Sequence, residues 1–537
     1  MTRRIFSPTV LLATTFLAAA ATTLAGCSYE TSPATGRQFL SPVSEKQEAS
    51  LGAEEHPKIL AEFGGQYSEK PALTAYINQL GQSVATKAER TDVQYTFTVL
   101  NTEDINAFAL PGGYVYITRG LLALGNNEAE IAGVLGHEIG HINARHTAER
   151  MGQQQMVSVL GTLGVLAGTV LGGDTGGQLA TGLAQQGGAV YLGQYSQDQE
   201  FEADSLGVRY LARASYDPQA MSSFLDSLNN DTHLEAKLAG NEAAADAYSM
   251  TQSHPRTPDR VQRAISEANV PVANPVLNRD RYLQQMDGLL WGPDPREGVV
   301  EGRTFIHPGL RFAFDAPKGF TLKNTPDAVL GESDDAIMQF DLAPSPPGGA
   351  LDSYVASGWM PDAKIANVQS LQINGMDAAT GLAQGMVGNT AVAVRLVAIR
   401  QNANTVLRFM FGATPQGFNA LDSDFMASAQ SLRAITPEQA GQYRPRRIHV
   451  VTVQPGDTVE SMTAQMQVPE AKDEWFRVIN HLSAGVALQA GQLVKIITQD
   501  ASTMSSLLPN GKMGHRTGDG PVAGIGGHPV ETAIIDD

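Results

Sequence analysis

A single cysteine in 537 residues leaves Cys27 without an internal disulfide partner, so the fold must rest on packed cores. Positive charge is also scarce: 37 Lys and Arg stand against 55 Asp and Glu, a formal net charge of −18. That balance argues against nucleic acid as a partner and against a polybasic membrane patch. After the N-terminus no clean apolar run of bilayer length stands out. The nearest, Met156 to Gly173 (MVSVLGTLGVLAGTVLGG), is broken by glycines and hydroxyl residues. It is expected to be a Gly-loosened flap over a cleft, or a segment touching a membrane, rather than a span. The length suggests about three or four domains.

What is present centres on Gly136-His137-Glu138-Ile139-Gly140-His141, inside EAEIAGVLGHEIGHINARH. Apolar residues at Ile131, Val134, Leu135, Ile139 and Ile142 recur at helical spacing. On a helix, His137 and His141 share a face and can grip one Zn²⁺ ion. Glu138 then stands beside the open coordination position, where it can take a proton from water.

A hydrolytic zinc site wants a third protein ligand. His146, nine residues after His137, falls about 180° around a continuing helix. Position 147 is Thr147, so the extended pattern with a third histidine is absent. In YSQDQEFEADSLGVRYLARA, also helical by pattern, Glu200 and Asp204 stand at i and i+4. Glu200 is the candidate third ligand, and Asp204 can hold the spare N–H of a zinc histidine. Asp198 and Glu202 are expected on the solvated face.

HEIGH followed by EFEAD resembles the HtpX and CAAX-prenyl-protease family of zinc metallopeptidases, in particular its periplasmic lipoprotein members. The resemblance runs over about residues 34 to 270 and includes TGRQFLSPVSE, INAFALPGGYVYITRGLL and SHPRTPDRV. It implies that His137, His141 and Glu200 bind zinc, that Glu138 is the general base, and that Asp204 is the family's aspartate. It also implies that His254 lies near the metal, polarising the peptide carbonyl or binding zinc in a latent state. Arg260 is a further candidate for oxyanion stabilisation. Val93 to Leu100 alternates as a strand, and Ile105 to Thr118 as two strands joined at Leu110-Pro111-Gly112-Gly113. Family members border the site with such an edge strand, to which an extended substrate can pair.

Along the chain, residues 1–26 carry Arg3 and Arg4 and then an apolar stretch, as signal peptides do. Leu24-Ala25-Gly26-Cys27 resembles a bacterial lipobox, which implies acylation of Cys27 and an anchor in the outer membrane, facing the periplasm. Residues 27–43 are expected to be linker and 44–292 the peptidase domain. Residues 298–434 alternate like strands, with helical stretches at Leu351 to Ser357 and Asn419 to Leu432, and carry no catalytic constellation. His307 there is expected to be a surface or capping residue. A polar linker at 435–447 precedes residues 448–498, which resemble a LysM peptidoglycan-binding module through PGDT, an Ile-Asn pair and GQLVKI. The tail at 499–537 is expected to be disordered.

The expected architecture is thus α+β and multidomain. A mostly helical zincin-type (gluzincin) peptidase domain with a small edge-strand sheet precedes an α+β domain and a small βααβ module. The expected function is a zinc endopeptidase acting on misfolded or extended envelope proteins, with peptidoglycan as a further partner. The alternatives are an envelope assembly chaperone or wall-tethered scaffold, and a cell-wall hydrolase.

Overall fold

A computed structural model of the chain describes residues 28–155, 195–240, 262, 265–266, 272–346, 349–387 and 390–500. The signal-peptide residues, Cys27, the stretch 156–173, His254, Arg260 and the tail beyond 500 lie outside them. Two compact units result. One joins Gly65–Leu289 and the N-terminal stretch through Leu60 to Ile448–Thr498; the other is built on Leu290–Arg447.

The first unit begins with a departure from expectation. Residues 28–43 are no linker: β1 (Ser28–Thr31) pairs antiparallel with β2 (Gln38–Ser41). Strands of four residues are too short for alternation to show, and what fixes this hairpin is distant in sequence. Arg37 pairs with Glu149 and Glu202. Next come α1 (Glu45–Glu62) and α2 (Pro71–Ala85). α2 opens on a proline, whose missing N–H costs nothing at a first helical position, and buries Leu73, Ile77, Leu80 and Val84 on one face.

β3 (Thr96–Leu100), β4 (Ala107–Leu110) and β5 (Tyr114–Thr118) form a sheet in the order β3-β5-β4. β3 runs parallel to β5 and β4 antiparallel to it, so β4 is an edge strand among the described residues. Pro111-Gly112-Gly113 makes the turn, with both glycines at positive φ, 83° and 101°. α3 (Arg119–Leu124) leads into α4 (Glu128–Ala144), which is buried on nearly every side and packs on α2, β4 and β5. It also packs on α5 (Gln197–Arg213), α6 (Ala220–Leu238) and α7 (Arg279–Met286). α4 is thus a core helix although it carries Glu128, Glu130, His137, Glu138, His141 and Asn143, and its buried polar groups need partners there. Its N-cap Asn127 accepts from the Glu130 N–H at 2.9 Å, and Glu130 accepts from the Asn126 N–H at 2.7 Å, so two orphan donors are satisfied reciprocally.

The second unit is the expected α+β domain. β6 (Val299–Glu301), β7 (Thr304–His307) and β8 (Phe312–Asp315) form one antiparallel sheet. A larger one holds β9 (Thr321–Asn324), β10 (Val329–Glu332), β11 (Ala336–Pro344), β12 (Ala366–Ile373), β13 (Met376–Val387), β14 (Thr390–Arg400) and β15 (Thr405–Ala413). The larger sheet is seven-stranded, in the order β9-β10-β11-β15-β14-β13-β12, and α8 (Pro415–Gln430) packs on it. β16 (Arg433–Ala434) completes the smaller sheet beside β8. Phe305, Phe314, Phe340, Phe409, Phe411 and Phe425 fill the core. His307 caps a turn as expected, accepting from the Leu310 N–H at 3.2 Å, but it is not a surface residue. Burial pushes its imidazole down to about 4.

The C-terminal module follows the expected β-α-α-β order: β17 (Arg446–Thr452), α9 (Val459–Thr463), α10 (Lys472–Asn480) and β18 (Leu493–Gln499). Its last strand runs one residue past the expected boundary, and Asp500 accepts from Arg447 Nε at 2.9 Å. The module shares a compact unit with α4. Lys495, fully buried, donates from Nζ to the carbonyls of Ala123, Leu124 and Gly125 at 2.8, 3.3 and 2.7 Å. These are carbonyls at the C-terminal end of α3, where a cation complements the helix dipole. Asn480 fixes the Lys495 backbone, accepting from its N–H at 2.7 Å and donating to its carbonyl at 2.9 Å.

Burial lowers Lys495 to about 7, with Arg279 acting the same way and Glu130 opposing. A lysine depressed in the fold binds fewer protons folded than unfolded, so stability rises with pH from about 7 toward the unfolded lysine value, by at most about 1.4 kcal/mol per pH unit. The melting temperature of the wild-type chain should therefore gain on that of Lys495→Met between pH 7 and pH 9. Parallel pH dependence of the two in differential scanning calorimetry would refute this.

Candidate metal centre

The site is made where α4 and α5 cross. Glycines permit the approach: a Cβ on Gly207 would stand 3.1 Å from the His137 backbone nitrogen, and one on Gly140 would stand 3.0 Å from the Ala203 carbonyl. Both are tighter than most side-chain contacts, so a larger residue at either position would push the helices apart by a few tenths of an ångström or more.

Across that contact one donor atom from each of His137, His141 and Glu200 falls within a 4.8 Å cluster. His141 Nε2 lies 3.0 Å from His137 Nε2 and 3.4 Å from Glu200 Oε1, and His137 Nε2 lies 3.7 Å from Glu200 Oε2. All three residues are buried. Two imidazoles and a carboxylate are a donor set that suits catalytic zinc, and a cation at their focus would answer the charge of a fully buried Glu200. The trio fits the metal.

Asp204 sits one turn after Glu200, and its Oδ1 lies 2.9 Å from His137 Nδ1. Burial works against charging His137, yet Asp204, Glu200 and Glu138 together raise it. Burial pushes His141 well below the ordinary imidazole range, which keeps a nitrogen lone pair available. Glu138 is buried beside His137 on α4, at 2 % exposure. Ser196 caps α5, its side chain accepting from Gln199 while the Gln199 side chain accepts in return.

Two expectations about neighbouring residues fail here. His146 does not point away. α4 stops at Ala144 because Arg145 takes left-handed backbone angles, φ 61°, and residues 146–155 form a separate helix. His146 is thereby returned to the site, with its Nδ1 2.9 Å from His141 Nδ1. Glu202 is not simply solvated: its Oε2 lies 3.1 Å from His146 Nε2. Burial would raise Glu202, but His146, Thr35 and Arg37 outweigh it and hold the carboxyl at about 2. Tyr195 is a further member that the sequence did not flag. Its ring stacks on His141 at 3.9 Å, and Arg150 covers it at 4.2 Å. No periodicity reveals a left-handed break, so the sequence carries no signal for this third histidine. A small cleft, with room for little more than a water molecule, is lined by His141, Tyr195, Leu110 and Pro111, so the end of β4 and a metal ligand share it.

Two imidazoles and a carboxylate gathered from two crossing helices make a candidate metal centre, and the same stretch of chain is similar to known metallopeptidases. Residues 71–268 match the model of Peptidase family M48, somewhat over a third of the chain. The Beta-barrel assembly-enhancing protease of Yersinia pestis is 34 % identical over 218 residues, 40 % of this chain and 42 % of that protein. Its namesake in Escherichia coli strain K12 is 36 % identical over 168 residues, 29 % of this chain and 33 % of that protein. The Mitochondrial metalloendopeptidase OMA1 of Schizosaccharomyces pombe is 27 % identical over 233 residues, 43 % of this chain and 64 % of that protein. The chain thus spans less than half the length of the two bacterial relatives.

Asp204→Asn, which removes the charge behind His137, should weaken zinc binding by about 10- to 100-fold, as loss of such partners does. Competition with a chromophoric chelator measures it. Gly207→Val should lower zinc content further by forcing α4 and α5 apart, seen as metal per chain after purification.

Proposed function

We propose that the chain is a zinc-dependent endopeptidase of the bacterial cell envelope, cutting misfolded or extended envelope proteins. The observation that carries this reading is the convergence of His137, His141 and Glu200 beside a buried Glu138. The similarity of residues 71–268 to Peptidase family M48 supports it. So does the name of the bacterial relatives, whose proteolysis is tied to β-barrel assembly.

His137, His141 and Glu200 would hold the zinc, which supplies polarisation of the substrate carbonyl and of water. Glu138 takes the proton as water attacks the peptide carbon, then delivers it to the departing amine. Asp204 accepts from His137 Nδ1–H and fixes that ring's tautomer. β4, the edge strand of its sheet among the described residues, is assigned to pairing with the backbone of an extended substrate, which favours unfolded chains with little sequence demand. His254 is assigned, by its place in the SHP element, to polarising the carbonyl or holding a latent state. Acylated Cys27 anchors the chain to the outer membrane, and the C-terminal module contributes contact with peptidoglycan. Among the described residues no helix is long and apolar enough to cross a membrane.

The test is zinc content and casein cleavage of the full chain in detergent, beside Glu138→Gln. The variant should keep its zinc and lose cleavage by about 10²- to 10⁴-fold, the worth of a general base. Zinc-loaded wild type that leaves casein intact, and still does so as His254→Ala, would move the reading to an assembly chaperone or scaffold. Digestion of purified sacculi in place of casein would move it to a cell-wall hydrolase.

A further inference from the structure

The N-terminal hairpin reaches the metal site through one side chain. Arg37, between β1 and β2, donates to Glu202 Oε2 from Nε at 3.2 Å and from Nη2 at 3.0 Å. It also pairs with both carboxylate oxygens of Glu149, the Nη2 contact being 2.6 Å. Glu149 accepts in turn from Gln199 Nε2 at 2.8 Å, and Gln199 immediately precedes Glu200 on α5. Glu202 accepts from His146, and His146 faces His141.

If His141 presents Nε2 to a metal, its Nδ1 carries the proton. A neutral His146 must then accept at Nδ1 and donate from Nε2 to Glu202. One proton arrangement therefore satisfies the whole line, His141 to His146 to Glu202 to Arg37. The two zinc histidines are backed differently: His137 directly by the carboxylate of Asp204, His141 through a second imidazole.

The hairpin is seated closely enough to hold Arg37 in place. A Cβ on Gly152, in the helix that His146 begins, would stand 2.0 Å from the Leu40 carbonyl. Arg145, whose left-handed backbone delivers His146, donates to the Val43 carbonyl at 2.9 Å and lies 3.4 Å from Glu30. At its outer end the line is open to water: the Arg37 side chain is 39 % exposed, whereas that of His146 is fully buried.

We infer that Arg37 is a positioning residue for the metal ligand His141, acting through Glu202 and His146, so that the seating of the N-terminal hairpin sets how tightly zinc is held. This rests on the reading of His137, His141 and Glu200 as the zinc site. Its physical basis is that an acceptor behind a ligating imidazole orients the ring and raises its basicity. Without Arg37, Glu202 and Glu149 share a half-buried space with no guanidinium between them. Glu202 then has no fixed orientation toward His146, and His141 is free to tilt.

The experiment is chelator competition for zinc on the full chain, together with the visible spectrum of the cobalt(II)-substituted protein. Arg37→Gln should weaken zinc binding by about tenfold, the lower end of the range for outer partners, and shift the cobalt bands. Arg37→Lys should fall between, since an ammonium keeps the charge but loses the planar fork. It also serves where the glutamine variant folds poorly. Glu202→Gln made in the Arg37→Gln background should add little to the loss, because both act on one line. Wild-type affinity and an unchanged cobalt spectrum in both Arg37 variants would overturn the inference while leaving the zinc site intact. Full additivity of the two substitutions would overturn the route through Glu202. A wild-type chain that takes up no zinc would overturn the metal-site reading and this inference with it.

Discussion

The close crossing of α4 and α5 is the constraint on which the site depends. Two ligands stand on one helix and one on the other, so the metal donors exist as a set only at a particular separation. Gly140 and Gly207 fix that separation by leaving room for backbone against backbone. The remaining elements keep the pair from parting. α2, α6 and α7 pack around α4, while the capped ends of α4 and α5 start each helix at a defined residue. A motif such as HEIGH is therefore only half a site; the other half is the glycine opposite.

What the sequence made legible follows from range. His137, His141, Glu200 and Asp204 occupy helices with clear periodicity, and spacing by four places each pair on one face. The edge strand, its glycine turn and the β-α-α-β order of the C-terminal module were legible for the same reason, since local signals specify them. His146 is illegible because a straight continuation of α4 carries it to the far side; Arg145 in the left-handed region breaks that line, and non-glycine residues rarely sit there. Glu202 and the hairpin at 28–41 depart from the local pattern because long-range ion pairs decide them. Arg37 lies 112 residues from Glu149 and 165 from Glu202, and no local pattern carries that information.

The buried charges around α4 follow one rule. Glu128 accepts from Tyr76 at 2.5 Å, from Tyr216 at 2.7 Å and from Asn278 at 2.6 Å, while Glu130 closes the N-cap. At the other end Arg145 and Arg90 meet the buried Glu48. Burying a carboxylate costs several kcal/mol unless its lone pairs are filled, and removing one partner costs more than the pair gains. Such a ring of satisfied groups holds α4 in register from both ends, which its apolar faces alone do not.

Lys495 extends this rule to the C-terminal module. A module joined to the core by apolar contact alone could slide; one that inserts a lysine amine among the carbonyls ending α3 has a single seat. That seat is directly before Asn126 and Asn127, the residues that begin α4. The segment that leads into the metal helix is thus held from the C-terminal module, and the residue just past its end from the N-terminal stretch. Sequence order would call these two segments peripheral. Electrostatic satisfaction makes them supports at either end of the ligand-bearing helix, and a fragment cut to residues 71–268 would lack both.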